Sequence, residues 1–173
     1  MTTLAALAAA IALSQPHAPQ STLRYYAFRT YVEAKAHHID PFLIVAIVDN
    51  ESHWMAGAIS DTENQCVGLG QICLSNFPEC QAEVMSEKCM ARAVSLTDPA
   101  VNLRMVASML DANRTYCKRT TGHAAERHYL AAYQGIGGST CGQVKVRGRW
   151  RDAPMHRLTR KVLAYRGRIV RRR

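Results

Sequence analysis

The sequence predicts a mainly α-helical single domain with little or no β-structure, and three observations carry that reading. Asp-Pro occurs twice, at Asp40-Pro41 and Asp98-Pro99, each time just ahead of an apolar run. Asp accepts from the free amides of a first helical turn, and Pro at the first helical position loses no hydrogen bond by lacking an N–H. Apolar residues then recur at three- and four-residue spacing, the period of a helix face. A cluster from Gly135 to Gly138 stops the last central run, as glycine does at helix ends.

Along the chain, Leu4–Leu13 is a short apolar stretch followed by the polar, Pro-containing Ser14–Ser21. This reads as a secretory leader over residues 1–20, although Met1-Thr2-Thr3 carries no Lys or Arg. A short buried N-terminal helix is the other reading. Residues 21–39 predict a helix with Tyr25, Phe28, Tyr31 and Val32 on its inner stripe. Asp40-Pro41 opens the next, running to about residue 53. From Gly57 to Pro78 the pattern is irregular, with Val67–Cys73 as a short extended segment. Asp98-Pro99 opens a helix through about Tyr116, burying Leu103, Val106, Ala107 and Leu110. Further helices are expected over about 123–134 and 154–166. The domain body thus spans 21–166, and residues 167–173 form a basic tail.

Composition bounds the function. A chain of 173 residues can bury a sizeable core as one domain. No run of 18 apolar residues occurs, so no membrane-spanning helix is expected. Charge is lopsided. Residues 145–173 hold 12 Lys or Arg against one acid, Asp152, whereas residues 1–144 are slightly acidic. Such an end attracts polyanions. The body lacks a recognisable reader helix, so no nucleic-acid partner is expected.

Six cysteines, an even set, suit an oxidising compartment: Cys66, Cys73, Cys80, Cys89, Cys117 and Cys141. The first four crowd one stretch that reads as a stapled loop region; their pairing stays open among 15 possibilities. Without Cys-x-x-Cys, and without a His among those four, zinc is not expected. His37, His38, His53, His123 and His128 show no ligand spacing either, so neither metal nor cofactor is predicted.

One carboxylate stands out. Leu43, Ile47 and Glu51 are four apart and share a helix face, flanked by Ile44 and Val48. Glu51 therefore ends the face that packs inward, while Asp49 lies on the opposite side and is expected to reach water. Partial desolvation raises a carboxyl pKa, and a neutral carboxylic acid is what a general acid requires.

The residues around Glu51 resemble the catalytic core of the lytic transglycosylases of the goose-lysozyme-like superfamily. That family carries a Glu-Ser pair, an aromatic two residues on, a Ser nine beyond the Glu, and Gly-Leu-Met-Gln-Ile. Here these are Glu51-Ser52, Trp54, Ser60 and Gly68-Leu69-Gly70-Gln71-Ile72. Asp98-Pro99-Ala100-Val101-Asn102-Leu103 is similar to the family's Asp-Pro-x-x-Asn-Ile, and Ala131-Ala132-Tyr133-Gln134-Gly135 to its Ala-Ala-Tyr-Asn-Ala-Gly. Thr159-Arg160-Lys161-Val162-Leu163 resembles its closing Thr-Arg-x-Tyr-Val helix. The order of these matches makes the set specific. The chain also departs from the pattern. The Ser60–Gly68 loop is two residues longer, with Gln65-Cys66 in place of Gly-Ala; Gly70 and Cys73 replace methionines, and Gln134 replaces Asn.

The resemblance implies a lysozyme-like fold with a substrate cleft and no cofactor. It implies Glu51 as sole acid and base on peptidoglycan strands, cleaving between N-acetylmuramic acid and N-acetylglucosamine with a 1,6-anhydro product. Ser60 and Tyr133 would orient Glu51, Gln71 and Gln134 would meet the glycan, and disulfides would brace the segment that Cys66 and Cys73 bracket. The protein would be secreted or periplasmic, its basic tail holding anionic wall polymers. Two alternatives differ in class. A goose-type lysozyme would cleave the same bond with water placed by Asp61 or Glu63. A non-catalytic wall-binding protein would act through the tail alone.

Overall fold

The computed structural model describes residues 3–60, 65–81, 86–135 and 140–171. In order these form α1 (Thr3–Ala12), α2 (Gln20–Ala36), α3 (Pro41–Ser52), β1 (Cys66–Val67), β2 (Ile72–Cys73), a single 3₁₀ turn at Leu74–Asn76, and α4 (Pro78–Gln81). There follow α5 (Glu87–Leu96), α6 (Pro99–Thr121), α7 (Glu126–Tyr133), β3 (Gln143–Val146), β4 (Arg149–Asp152) and α8 (Arg157–Arg171). The architecture is mainly α, as predicted, with two small antiparallel hairpins among the described residues.

α3 is the central element because it is apolar all round: every residue from Phe42 to Val48 is buried. A helix of that kind must be enclosed by others, and α1, α2, α6 and α8 enclose it. Asp40 caps it as expected, its Oδ1 accepting from Phe42 N at 3.0 Å. The second oxygen accepts from Arg166 Nε at 2.7 Å and ties α8 to the start of α3. α6 starts the same way, with Asp98 accepting from Ala100 N and Val101 N. Leu103, Val106, Ala107 and Leu110 form its buried face. It runs to Thr121, one turn beyond expectation, and stops at Gly122 in the left-handed region (φ 81°).

Three expectations are corrected. The inner stripe of α2 is Leu23, Ala27, Thr30 and Ala34, while Tyr25 and Phe28 are half exposed; small side chains let α2 approach its neighbours and turn those aromatics outward. α5 and the β3–β4 hairpin are additional elements. α8 continues to Arg171 with Ile169 buried, so 167–171 is packed helix rather than loose tail. Residues 3–12 are a helix docked on α2 and α3, with Leu7 and Ile11 fully buried. Three disulfides join Cys66–Cys73, Cys80–Cys89 and Cys117–Cys141. No helix among the described residues is long and apolar enough to cross a membrane.

Candidate active site

Glu51 sits in the last turn of α3, half-buried. The chain leaves the helix through two consecutive left-handed residues, His53 (φ 50°) and Trp54 (φ 63°). Each such non-glycine residue costs about 1–2 kcal/mol, so its surroundings must hold it. Trp54 is buried and stacks on Tyr26 of α2, ring centroids 5.4 Å apart. Gln15, just beyond α1, donates from Nε2 to His53 O at 2.5 Å. Ser14 donates to Asp49. Asp49 is therefore largely covered, with 18% of its side chain exposed, and not open to water as expected; the exit of α1 covers it. Ser52 is buried and bonds back to Val48 O, a role internal to the helix.

The electrostatics of Glu51 follow from this placement. Desolvation by burial pushes its pKa up; a hydrogen bond from Asn50 Nδ2 to Oε1 (3.1 Å) and the Lys161 ammonium on α8 pull it back in part, leaving it raised. Neither Asn50 nor Lys161 was identified from sequence. Asn50 is adjacent to the acid, but Lys161 lies 110 positions further on and carries no local signal. Among the described residues, no second carboxylate perturbs Glu51. Asp61 and Glu63 lie outside the described residues.

Tyr133, at the end of α7, faces the same region. Burial, and then the charge of Glu51, push its pKa up. Its hydroxyl donates to Gly70 O at 2.8 Å. A hydroxyl has one proton, so Tyr133 can meet Glu51 only as an acceptor. This close approach explains Gly70. A Cβ there would lie 2.2 Å from Val106 Cγ2 and 2.8 Å from the Tyr133 hydroxyl.

The hairpin carrying Gly70 is clamped from below by Asn102, which is fully buried. Its Oδ1 accepts from Gly70 N at 2.7 Å, and its Nδ2 donates to Val67 O at 3.0 Å and Leu96 O at 2.8 Å. Ser60 Oγ accepts from Cys66 N at 2.8 Å and closes the loop before β1. Gln71 Nε2 donates to Ala58 O and Gly68 O. Gln134 Oε1 accepts from Thr159 Oγ1 at 2.8 Å, joining α7 to α8, while its Nε2 is buried without a partner among the described residues. Tyr133 is thus fixed on Gly70, within electrostatic reach of Glu51. The bonds made by Ser60, Gln71 and Gln134 tie loops and helices to one another.

A mainly α domain whose central apolar helix ends in a desolvated glutamate fits the lysozyme-like class. Residues 30–153 match the Transglycosylase SLT domain family, and the chain belongs to that family. No curated protein and no solved structure matches it. Its class of activity is therefore that of a transglycosylase acting on peptidoglycan. Three disulfides fit action outside the cytoplasm.

Proposed function

We propose that the protein cleaves the β-1,4 bond between N-acetylmuramic acid and N-acetylglucosamine, with Glu51 as its only acid and base. The observation that carries this reading is a half-buried carboxyl group at the end of the central apolar helix, its pKa pushed up by burial, in a chain of this family. Protonated Glu51 gives its proton to the glycosidic oxygen as the C1–O bond breaks. The muramoyl O6 then forms a bond to C1, and its proton passes to the Glu51 carboxylate. The substrate supplies the nucleophile, so a second carboxylate is not needed, and no water is consumed. Before glycan binds, Tyr133 accepts from the protonated acid; with glycan in place that proton turns to the glycosidic oxygen, and Asn50 and Lys161 steady the carboxylate that follows. Gln71, its amide nitrogen committed to backbone, meets glycan through its oxygen. Exposed Lys145, Arg147, Arg149 and Arg151 on β3–β4, with the basic face of α8, hold anionic wall polymers by an attraction that salt screens.

The test is Glu51→Gln on purified peptidoglycan with mass spectrometry of the soluble products. The wild type should release anhydro ends, lighter by one water than reducing ends. Its rate should fall as pH rises through a pKa above the ordinary carboxylate range. The variant should lose about 10²–10⁴-fold in rate. Because the folded state binds the Glu51 proton more tightly than the unfolded chain, the ionised group lowers stability at neutral pH. Glu51→Gln should therefore melt no lower than wild type. Reducing ends would assign a hydrolase, and an active Glu51→Gln would remove the enzyme reading.

A further inference from the structure

The three disulfides are not equally reachable. Cys80, Cys89, Cys117 and Cys141 are buried, none more than 4% exposed. Cys66 and Cys73 are both partly exposed. Thiol–disulfide exchange begins when a thiolate reaches one of the two sulfurs, so access selects the bridge that yields. Cys66–Cys73 is the bridge that a thiol dissolved in water can reach.

That bridge also sits where opening has a local consequence. Cys66 and Cys73 face each other at the open end of the β1–β2 hairpin. The other end is held without them, by Asn102 on Gly70 N and Val67 O and by Gly68 N donating to Ala58 O at 2.8 Å. Three backbone amides depend on the bridged end. Ser60 N donates to Cys66 O at 2.9 Å, Cys66 N to Ser60 Oγ at 2.8 Å, and Leu74 N to Gln65 O at 3.2 Å. The cysteines are seven residues apart. Closing so short a loop favours the closed over the open arrangement by about 60-fold in the chain-entropy account. Reduction therefore loosens the outer end of the hairpin and leaves its buried end clamped.

We infer that Cys66–Cys73 is a redox modification site, taken by small thiols and dithiol proteins, that sets how firmly the outer end of this hairpin is held. A thiolate attacks one sulfur, forms a mixed disulfide and expels the other cysteine as its thiolate. A second thiol of the reagent attacks that mixed disulfide, so both cysteines end reduced and the reagent ends as a disulfide. A disulfide-donating oxidant reverses both steps. Resting on the function proposed above, reduction slows glycan cleavage. Gln71, the glycan contact, lies two residues before Cys73, and its amide is braced on Ala58 O of the strip joined to β1. Cysteines stand at 66 and 73 where the family pattern has Ala and Met, so the site belongs to this chain. Both lie within the matched residues 30–153, and loss of a leader leaves them in place.

The full oxidised chain is exposed to graded dithiothreitol without denaturant, and free thiols are alkylated and mapped by peptide mass spectrometry. Cys66 and Cys73 should label at about tenfold less reductant than any of the other four. Amide hydrogen exchange at Ser60, Cys66 and Leu74 should quicken by up to about 60-fold, while the Gly70 amide on Asn102 stays protected. Cleavage should fall about tenfold in step with labelling and return on oxidation with glutathione disulfide. The paired variant Cys66→Ser, Cys73→Ser should cleave at the reduced rate and ignore dithiothreitol. Labelling of another pair first or together with this one, unchanged exchange at those three amides, or cleavage indifferent to reduction overturns the inference. Labelling and exchange need no cleavage, so both as expected in a chain that never cleaves would reject the enzyme reading alone. Full cleavage throughout reduction would reject this site alone.

Discussion

The two hairpins use opposite physics. β1–β2 has only two residue pairs, yet it carries Gly68, Leu69 and Gly70 between its strands, with Val67, Leu69 and Ile72 buried. Cys66–Cys73 bridges it and Asn102 holds three of its groups or neighbours from within. β3–β4 has four pairs, and most of its side chains face solvent. Its Arg147-Gly148 turn has both residues at positive φ, the geometry that suits the twist of a two-residue hairpin. A single carboxylate, Asp152, links it to α7 through Arg127 and buried His128, and also accepts from Gln143 of β3. The longer ladder is thus the surface element and the shorter one the rigid element. Burial of partnered polar groups, not strand length, decides which hairpin is fixed in place.

Three substitutions would break or sharpen that contrast. Asn102→Ala strips partners from Gly70 N, Val67 O and Leu96 O in a buried site. At about 1–3 kcal/mol for each unsatisfied group, with partial relaxation, the loss should be about 3–5 kcal/mol in urea unfolding, and glycan cleavage should collapse with it. Replacing Cys66 and Cys73 together by Ser should cost about 2–3 kcal/mol, since a loop of this length constrains the unfolded chain by that much. The loss should disappear when the wild type is compared under reducing conditions. Asp152→Asn should cost only about 1 kcal/mol, because the cluster is half open to water. Its signature is pH. The hydrogen bond from His128 holds the Asp152 carboxyl below its usual range. The stability it contributes is present above the unfolded-chain pKa and is lost as pH falls through the lower, folded value. Melting curves of wild type and Asp152→Asn should therefore converge in acid while cleavage at neutral pH survives. Equal damage to activity from Asp152→Asn and Asn102→Ala would erase the distinction between the hairpins.

Legibility tracked how local each signal was. α3 and α6 could be read because cap, proline and apolar run sit within a few residues of one another. The inward turn of Glu51 followed from four-residue spacing alone. α5 was not legible because just Cys89 and Leu96 are buried on it, too sparse for a periodic stripe. β3–β4 was missed although Arg147-Gly148 marks a turn, since its alternation is basic and outward, with little apolar pattern to count. The partners of Tyr133 and Asn102 were out of reach because they lie 63 and 32 residues away in sequence. The family resemblance singled out Tyr133 and held Asn102 only as part of a motif; their hydrogen bonds gave Asn102 a bracing role and Tyr133 a committed proton. The Gly137 and Gly138 positions, Asp61, Glu63, Arg172 and Arg173 lie outside the described residues.

The grip of Ser14 and Gln15 on the close of α3 bears on maturation. A peptidase cutting near residue 20 would do more than free the chain from its export route. It would withdraw the hydroxyl from Asp49 and the amide from the His53 carbonyl, and uncover the apolar flank where Leu7 and Ile11 dock. A chain cut there would hold the end of α3 with fewer contacts than the full chain does, so the two forms can be compared directly by melting.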